Sequence, residues 1–558
     1  MTAELSIRGG TLVDGTGSPP IRADVGISGG RVEEVGPTVR GDREIDASGR
    51  LVVPGFIDIH THYDPQVLWD PWLTPSSWHG VTSVVAGNCG YSIAPTRPES
   101  RGSILRTLDK VEDMRLSTLE AGVGWDFETY PDYLDAVGRR GTAINFGGYV
   151  GHTPVRLYVM GDDAYQREAT DDEVDRMRRV VRASLAGGAL GFSSDRGGFH
   201  LGDGGRPVPS IVATQAELEA LMRVTAELGR GMVHVAPGER YSWVYDFQAV
   251  LGRTITWSSI LTYPEGTASR APYRDKLARH ERGRQAGADV WVQVTCRPIA
   301  QSVWVMEPTS LYVIPAFSDL VAAPYQERPR VYADRDWRAR VWGQFDSGKF
   351  VNPRWDTFTV SESTTHPELI GRSVAAIARE RGCTPFDVVC DVGLDDGLDT
   401  RFTVTFANDE EDGVRLLIQS EGCIMGLSDA GAHVGAICDA VMPTDFLANW
   451  VRDRQVLPIE TGVRKLTGEL AGVLGLDRGY LRPGSPADVV VLDLDALSPG
   501  PIRRVRDMPA GGDRLIADDP KGIDWVLVNG TPIREEGKPL VDHLRRLPGV
   551  ILRSRPEA

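Results

Sequence analysis

The alternation of apolar and polar positions changes character twice along the chain. Near the start, Leu5-Ser-Ile-Arg alternates, Gly9-Gly10 and Asp14-Gly15 supply turn chemistry, and Asp24-Val-Gly-Ile-Ser runs into Gly29-Gly30. A period of two with glycine punctuation predicts short strands joined by tight turns. The far end repeats this texture, with Ala487-Asp-Val-Val-Val-Leu-Asp and then Trp525-Val-Leu-Val ahead of Asn529-Gly530. Between the ends the period lengthens. Thr170-Asp-Asp-Glu173 reads as a capping box, and Val174, Met177, Val181 and Leu185 follow at helical spacing until Gly187-Gly188. The strand-like run Ala189-Leu-Gly-Phe-Ser comes next. Thr214-Gln-Ala-Glu217 opens a second such unit, with Leu218, Leu221 and Leu228, then Gly229, then Met232-Val-His-Val.

Strands alternating with helices of this length predict a parallel sheet covered by helices. Eight candidate strands fall near 53–60, 81–87, 142–150, 189–194, 232–236, 254–261, 289–296 and 423–428. Eight units fit a closed (β/α)8 barrel of the TIM type, an α/β fold whose chemistry sits where strands run into loops. One stretch, about 304–358, fits no unit and is rich in arginines and aromatics: Tyr312, Phe317, Tyr325, Trp337, Trp342, Phe345 and Trp355. An insertion after a barrel strand is expected to cover the active-site face, where its aromatic faces would stack on an apolar substrate.

Composition narrows the function. A chain of 558 residues exceeds one ordinary core, so at least two packed units are expected. A formal charge of −16 disfavours nucleic acid and anionic membrane as partners, because both demand clustered Lys and Arg. No apolar run reaches the roughly 18 residues of a membrane span, and the opening residues lack the regions of a signal peptide. The six cysteines have no framework spacing and read as reduced thiols, so a cytoplasmic location is expected. The expected partner is a small-molecule substrate; a homo-oligomer is compatible with this reading.

The strongest chemical signal is Val53-Pro-Gly-Phe-Ile-Asp-Ile-His-Thr-His62. Residues i and i+2 of a strand share a face, so His60 and His62 project together where an apolar strand ends. Paired neutral imidazoles suit a zinc-like ion. This segment resembles the first barrel strand of the amidohydrolase superfamily, and the chain beyond it resembles the D-aminoacylase (N-acyl-D-amino-acid deacylase) branch. In that branch a cysteine in a Gly-Asn-Cys-Gly setting ends the second strand and ligates metal; here Val81-Thr-Ser-Val-Val-Ala-Gly-Asn-Cys-Gly90 supplies Cys89. Gly151-His152, Gly188-Ala-Leu-Gly-Phe-Ser-Ser194 and Pro483-Gly-Ser-Pro-Ala-Asp488 extend the resemblance over most of the chain. The fourth strand has no lysine, so the cysteine takes the place of a carboxylated lysine.

The resemblance implies further assignments. His234, in Gly231-Met-Val-His-Val-Ala, matches the fifth-strand histidine, and Asp429, in Ile424-Met-Gly-Leu-Ser-Asp-Ala-Gly431, matches the eighth-strand aspartate. The implied metal ligands are His60, His62, Cys89, His234 and Asp429, with Asp429 also the catalytic acid and base. His152, His200, Arg297 and His433, just beyond strands three, four, seven and eight, are candidates for substrate contact. The implied fold adds a small β-sandwich domain, 1–52 with 475–558, to a barrel over 53–474 that carries an insertion at about 300–360. The implied activity is metal-dependent hydrolysis of an amide-type C–N bond. A lyase or decarboxylase on the same metal, and a non-catalytic relative, are the alternatives.

Two departures from the family pattern matter. Its sixth strand carries another metal-ligating histidine and then a lysine that grips substrate carboxylate. Thr254-Ile-Thr-Trp-Ser-Ser-Ile-Leu-Thr262 has neither, with Ser259 expected in the histidine's place and Leu261 near the lysine's. The arginine often found two residues after the fifth-strand histidine is Ala236. The cofactor expectation is therefore one Zn2+ rather than two, another divalent ion being open. The substrate expectation is an uncharged or apolar amide in preference to a free N-acyl-D-amino acid.

Overall fold

The computed structural model describes residues 2–198, 200–263, 271–308, 311–312, 314–346, 353–541 and 543–555. The chain divides into two compact units. The first comprises Met1–Ile260, Arg274–Cys296 and Arg415–Ala558; the second comprises Leu261–Tyr273 and Arg297–Val414.

The first unit is built around an eight-stranded parallel sheet: Phe56–Asp58, Val81–Ala86, Asn145–Gly151, Gly191–Asp195, Met232–Ala236, Ile255–Ser258, Val290–Val294 and Cys423–Met425. Each strand pairs with its neighbour in sequence order, which curls the sheet. Past the strand ends, the His62 amide donates to the Ala430 carbonyl (2.8 Å), and Thr61 bridges Ala430, so the segments just beyond the first and last strands are joined. The strands read as near-continuous apolar runs because both faces are covered; every residue of Val81–Ala86 is buried. All eight expected strands are found, with one correction. The run expected at 53–60 is split, since Leu51–Pro54 pairs with Val489–Leu492 in a different sheet and only Phe56–Asp58 joins the parallel one. Gly55 marks the break: a Cβ there would lie 2.1 Å from Thr82 Oγ1, so only glycine permits so close an approach.

Two further sheets come from the chain ends, the first from the opening residues alone and the second from both. One has four strands, in the order Arg31–Gly36, Asp24–Ser28, Ala3–Arg8, Gly41–Asp46. The other has seven strands and mixes Thr11–Leu12, Ile21–Arg22 and Leu51–Pro54 with Val489–Leu492, Ile523–Val528, Thr531–Glu535 and Lys538–Pro539. Leu5, Ile7, Val25 and Ile27 of the first sheet share an apolar cluster with Val52, Val489, Val491 and Leu527 of the second. The alternation seen in the sequence is the alternation of these inward residues.

The two anticipated helix starts differ. Thr170 and Glu173 complete a reciprocal capping box on helix Asp171–Ala186. Thr214 caps helix Gln215–Glu227, but the Glu217 side chain turns inward to a buried ion pair.

The second unit has its own three-stranded antiparallel sheet, ordered Ile299–Trp304, Arg401–Ala407, Thr359–Glu362. It extends well past residue 360. The expectation that its aromatics would offer stacking faces needs correction. Phe317, Trp337 and Phe345 are buried against Phe386 in this unit's own core, with Trp342 and Trp355 packed on the same cluster. An insertion of this size must bury apolar surface to hold together, and most of its aromatics are spent doing so, Tyr325 remaining exposed.

Candidate metal centre

His60, His62, Cys89, His234 and Asp429 come together where strands one, two, five and eight run out. The ligand atoms form two groups that share one residue: His60, Cys89 and His234, and His60, His62 and Asp429, each within a 4.8 Å span. His60 Nε2 lies 3.1 Å from Asp429 Oδ1 and 3.5 Å from Cys89 Sγ, and His62 Nε2 is 3.7 Å from the same Asp429 oxygen. Two of the five adopt backbone conformations that side chains rarely take, Cys89 at φ 53° and Asp429 at φ 46°. Left-handed non-glycine residues cost about 1–3 kcal/mol each and persist where the surroundings dictate them, as at functional sites.

The backbone around the cluster is tied from several sides. Ser428 Oγ donates to Asp58 Oδ2 (2.6 Å), and the other oxygen of Asp58 accepts from the His60 amide (3.2 Å). The residue before Asp429 is thereby fastened to the strand that carries His60. Ser193 Oγ accepts from the Gly90 amide (3.0 Å) and holds the turn on which Cys89 sits. Gly431, at φ 88°, passes so close to His62 that a Cβ would lie 2.8 Å from its carbonyl carbon.

Each imidazole meets a polar partner at Nδ1. Gln293 Oε1 accepts from His60 Nδ1, Thr256 Oγ1 lies 3.1 Å from His234 Nδ1, and Glu112 Oε1 lies 3.0 Å from His62 Nδ1. Such partners fix ring orientation and leave Nε2 for the centre. Sequence reasoning missed all three. Gln293 and Thr256 carried a signal, as polar residues inside apolar buried strands; Glu112, just past helix Arg101–Val111, carried none.

The electrostatics suit a cation. Burial alone would push the Cys89 thiol up, but the imidazoles of His60, His234 and His62 hold it well below the ordinary thiol range. Burial likewise disfavours the Asp429 carboxylate, and His60 and His62 outweigh it, keeping that group well below its usual value. In return, Cys89 and Asp429 overcome the burial of His60 and raise its imidazole to about 10. A thiolate and a carboxylate enclosed with imidazoles demand positive charge, which a divalent ion supplies without protons.

The sixth strand brings a correction: Ser258, not Ser259, faces the cluster. His234 pairs in register with Thr256, and Thr256 and Ser258 share a strand face. Ser258 Oγ lies 3.5 Å from His234 Nε2 and 4.0 Å from Cys89 Sγ. By the same shift the residue two positions on is Ile260, fully buried, rather than Leu261.

The substrate-contact candidates separate. His200 donates from Nδ1 to Asp195 Oδ2 (2.6 Å) and packs edge-on against Tyr91, two residues past Cys89. His433, at φ 48°, donates its amide to the Glu112 carbonyl. His152 is not brought to the cluster by any contact of its ring, whose nitrogens reach Ser194 Oγ (2.9 Å) and Glu217 Oε1 (3.0 Å). Arg297 belongs to the second unit, where its carbonyl accepts from Asn408 Nδ2 (2.8 Å).

Comparison with known proteins agrees with this geometry. The model of the amidohydrolase family matches residues 43–532. The chain is 31% identical to the N-acyl-D-glutamate deacylase of Alcaligenes xylosoxydans xylosoxydans, over 99% of this chain and 96% of that protein. It is 29% identical to the D-aminoacylase of the same organism, over 96% and 95%. The crystal structure of the N-acyl-D-glutamate deacylase from Bordetella bronchiseptica, complexed with zinc and a phosphonate inhibitor, superimposes with a TM-score of 0.66 at 27% identity, covering 99% of this chain and all of that one. A curled eight-stranded parallel sheet, a buried donor set fit for a divalent metal and full-length likeness to deacylases converge on one conclusion: the chain belongs to the amidohydrolase family, as a D-aminoacylase-like hydrolase of carbon–nitrogen bonds other than peptide bonds.

Proposed function

We propose that His60, His62, Cys89, His234 and Asp429 form the metal centre of an amide hydrolase, with Asp429 as its general base and acid. The observation that carries this reading is the convergence of five ligand-type side chains whose three imidazoles each meet a polar partner at Nδ1. When bound, a divalent ion acidifies water and polarises the scissile carbonyl. Asp429 accepts the proton of the attacking water on a carboxylate oxygen and returns it to the departing amine. Its side chain is 23% exposed, against 0% for His60, so it faces the side from which substrate arrives. His200 and His433 are the proposed substrate contacts, whereas the His152 ring is committed at both nitrogens and is not one.

One Zn2+ is proposed rather than two. His60 spends Nδ1 on Gln293 and has only Nε2 to give, so the two ligand groups compete for one nitrogen. Without it, Cys89 with His234, or His62 with Asp429, offers two protein ligands, fewer than the three of an ordinary catalytic zinc site. Ser258 stands where a further imidazole would be needed.

The proposed substrate is an N-acyl amino acid-like or neutral amide, the neutral one preferred. Ile260 and Ala236 offer no charge. Arg196, beside Ala236, commits its guanidinium to the Ser210 and Ala213 carbonyls (2.7 Å each), and His200 is neutralised by Asp195. A carboxylate taken from water without a cationic partner loses several kcal/mol of solvation.

The sheets complete the proposal as a closed (β/α)8 barrel with a β-sandwich domain of 1–52 and 475–558. No described helix is long and apolar enough to cross a membrane, and the proposed setting is the cytoplasm with small molecules as partners.

One experiment tests the reading. Zinc is counted after dialysis, and specificity constants are compared for an N-acetyl-D-amino acid and its carboxamide. About one zinc per chain and a faster carboxamide are expected. Two retained ions sink the mononuclear centre, and a tenfold preference for the free acid sinks the neutral pocket. Metal without any hydrolysis favours a lyase or decarboxylase.

A further inference from the structure

Glu112 is the one acidic residue outside the ligand set that contacts a ligand imidazole among the described residues. It is almost wholly buried, at 2% exposure, just beyond helix Arg101–Val111. Its Oε1 lies 3.0 Å from His62 Nδ1, an ion-pair distance at which the two groups are not aligned as a hydrogen bond, and neither of these buried atoms has a hydrogen bond to any other group. Its main-chain carbonyl holds the His433 amide, and His433 lies four residues past Asp429 in the loop after the last strand. One residue therefore grips the first strand's second histidine with its side chain and the last strand's loop with its backbone.

A carboxylate is not sequestered from water without a charged or donating partner. For Glu112 the contacting partner is the His62 imidazole. With Nε2 turned toward Asp429 and the proposed metal centre, a hydrogen placed on Nδ1 has the Glu112 carboxylate, which can only accept, within 3.0 Å. No other described contact selects this tautomer of His62.

We propose that Glu112 is a positioning residue for the metal centre: it selects the Nε2-ligating tautomer of His62 and fastens that histidine to the loop after Asp429. Partners of this kind change metal affinity by roughly 10–100-fold when removed. The inference rests on reading the cluster as a metal centre, and zinc binding by the wild-type protein tests that reading separately.

The test has two arms. Zinc affinity is measured by competition with a chromogenic chelator for wild type, Glu112→Gln and Glu112→Asp, alongside the melting temperature of each metal-free protein. The expected result is a 10–100-fold loss for Glu112→Gln, a smaller loss for Glu112→Asp, and metal-free melting within a few degrees of wild type. Affinity within threefold of wild type for Glu112→Gln overturns the proposal. So does a zinc-affinity loss no larger than the accompanying loss of metal-free stability accounts for. The second arm uses only wild type, so it stands even where a variant fails to fold. Nitrogen-15 histidine spectra of the zinc-loaded protein should show His62 protonated at Nδ1; protonation at Nε2 overturns the proposal. If wild type binds no zinc, the metal-centre reading fails first, and the inference fails with it.

Discussion

Two buried groups of imidazole and carboxylate flank the same sheet and are put to opposite use. Around His152 every polar atom of the ring is spent. Its Nε2 donates to Glu217, its Nδ1 accepts from Ser194, and the second oxygen of Glu217 is taken by the buried guanidinium of Arg156. Around His60 and His62 each ring is held on one side only, and the other side meets Asp429. His79 belongs to the first kind, with Nδ1 on Thr444 and Nε2 on the Ala517 carbonyl. We read a buried histidine committed at both nitrogens to groups outside the cluster as holding the fold together, and one whose Nε2 turns to the cluster as a proposed metal ligand.

The contrast can be broken by exchanging charge for an isosteric amide on each side. Asp429→Asn cannot take a proton from water, so turnover should fall by about 10²–10⁴ while the fold and much of the zinc are kept. Steady-state rates with parallel metal analysis measure this, and near-normal turnover would remove Asp429 from the chemistry. Glu217→Gln should show the reverse. It leaves Arg156 charged, buried and unpaired, a defect worth about 3–5 kcal/mol in denaturant unfolding, with zinc content unchanged. A loss of zinc in that variant would mean the two groups are not separate.

The smallest effect is in pH. Burial, only partly offset by Glu217, holds the His152 imidazole below its ordinary value of 6.5. The unfolded chain therefore takes up a proton that the folded chain refuses, and stability falls as pH drops below about 6.5. Glu217 acts in the same sense. Burial opposes its charge, but His152 and Arg156 hold its carboxyl low, so its contribution is complete above the usual carboxylate value and lost as pH falls through the folded one. The melting temperature of His152→Gln should depend less steeply on pH between about 7 and 5.5 than that of wild type. An equal slope would show that other histidines carry the dependence.

What could be read from the chain tracked its periodicity. His60 and His62 were visible because strand spacing puts them on one face, and the eight strands because both-face burial makes apolar runs. The break at Gly55 was hidden, since Leu51–Pro54 and Phe56–Asp58 are equally apolar and differ only in which sheet claims them. Ser258 and Ser259 are alike in sequence, and only pairing with the fifth strand shows which one faces His234. The half-used capping box at Thr214 misled for a related reason, because Glu217 answers a buried arginine distant in sequence. Glu112 was beyond reach, since a lone acid after a helix looks like solvent-facing polarity until the fold delivers it to His62.

The seam of the curled sheet gives the metal a second meaning. The ends of the first and last strands are joined by Thr61, His62 and Ala430 and by Ser428 on Asp58 and His60, and the proposed ligands stand on both sides of that join, His60 and His62 on one and Asp429 on the other. An ion bound there is also a rivet through the first and last staves. Its departure would then be a mechanical event as much as a chemical one, relaxing the rim at the place where substrate is processed and tying the longevity of the protein to its supply of metal.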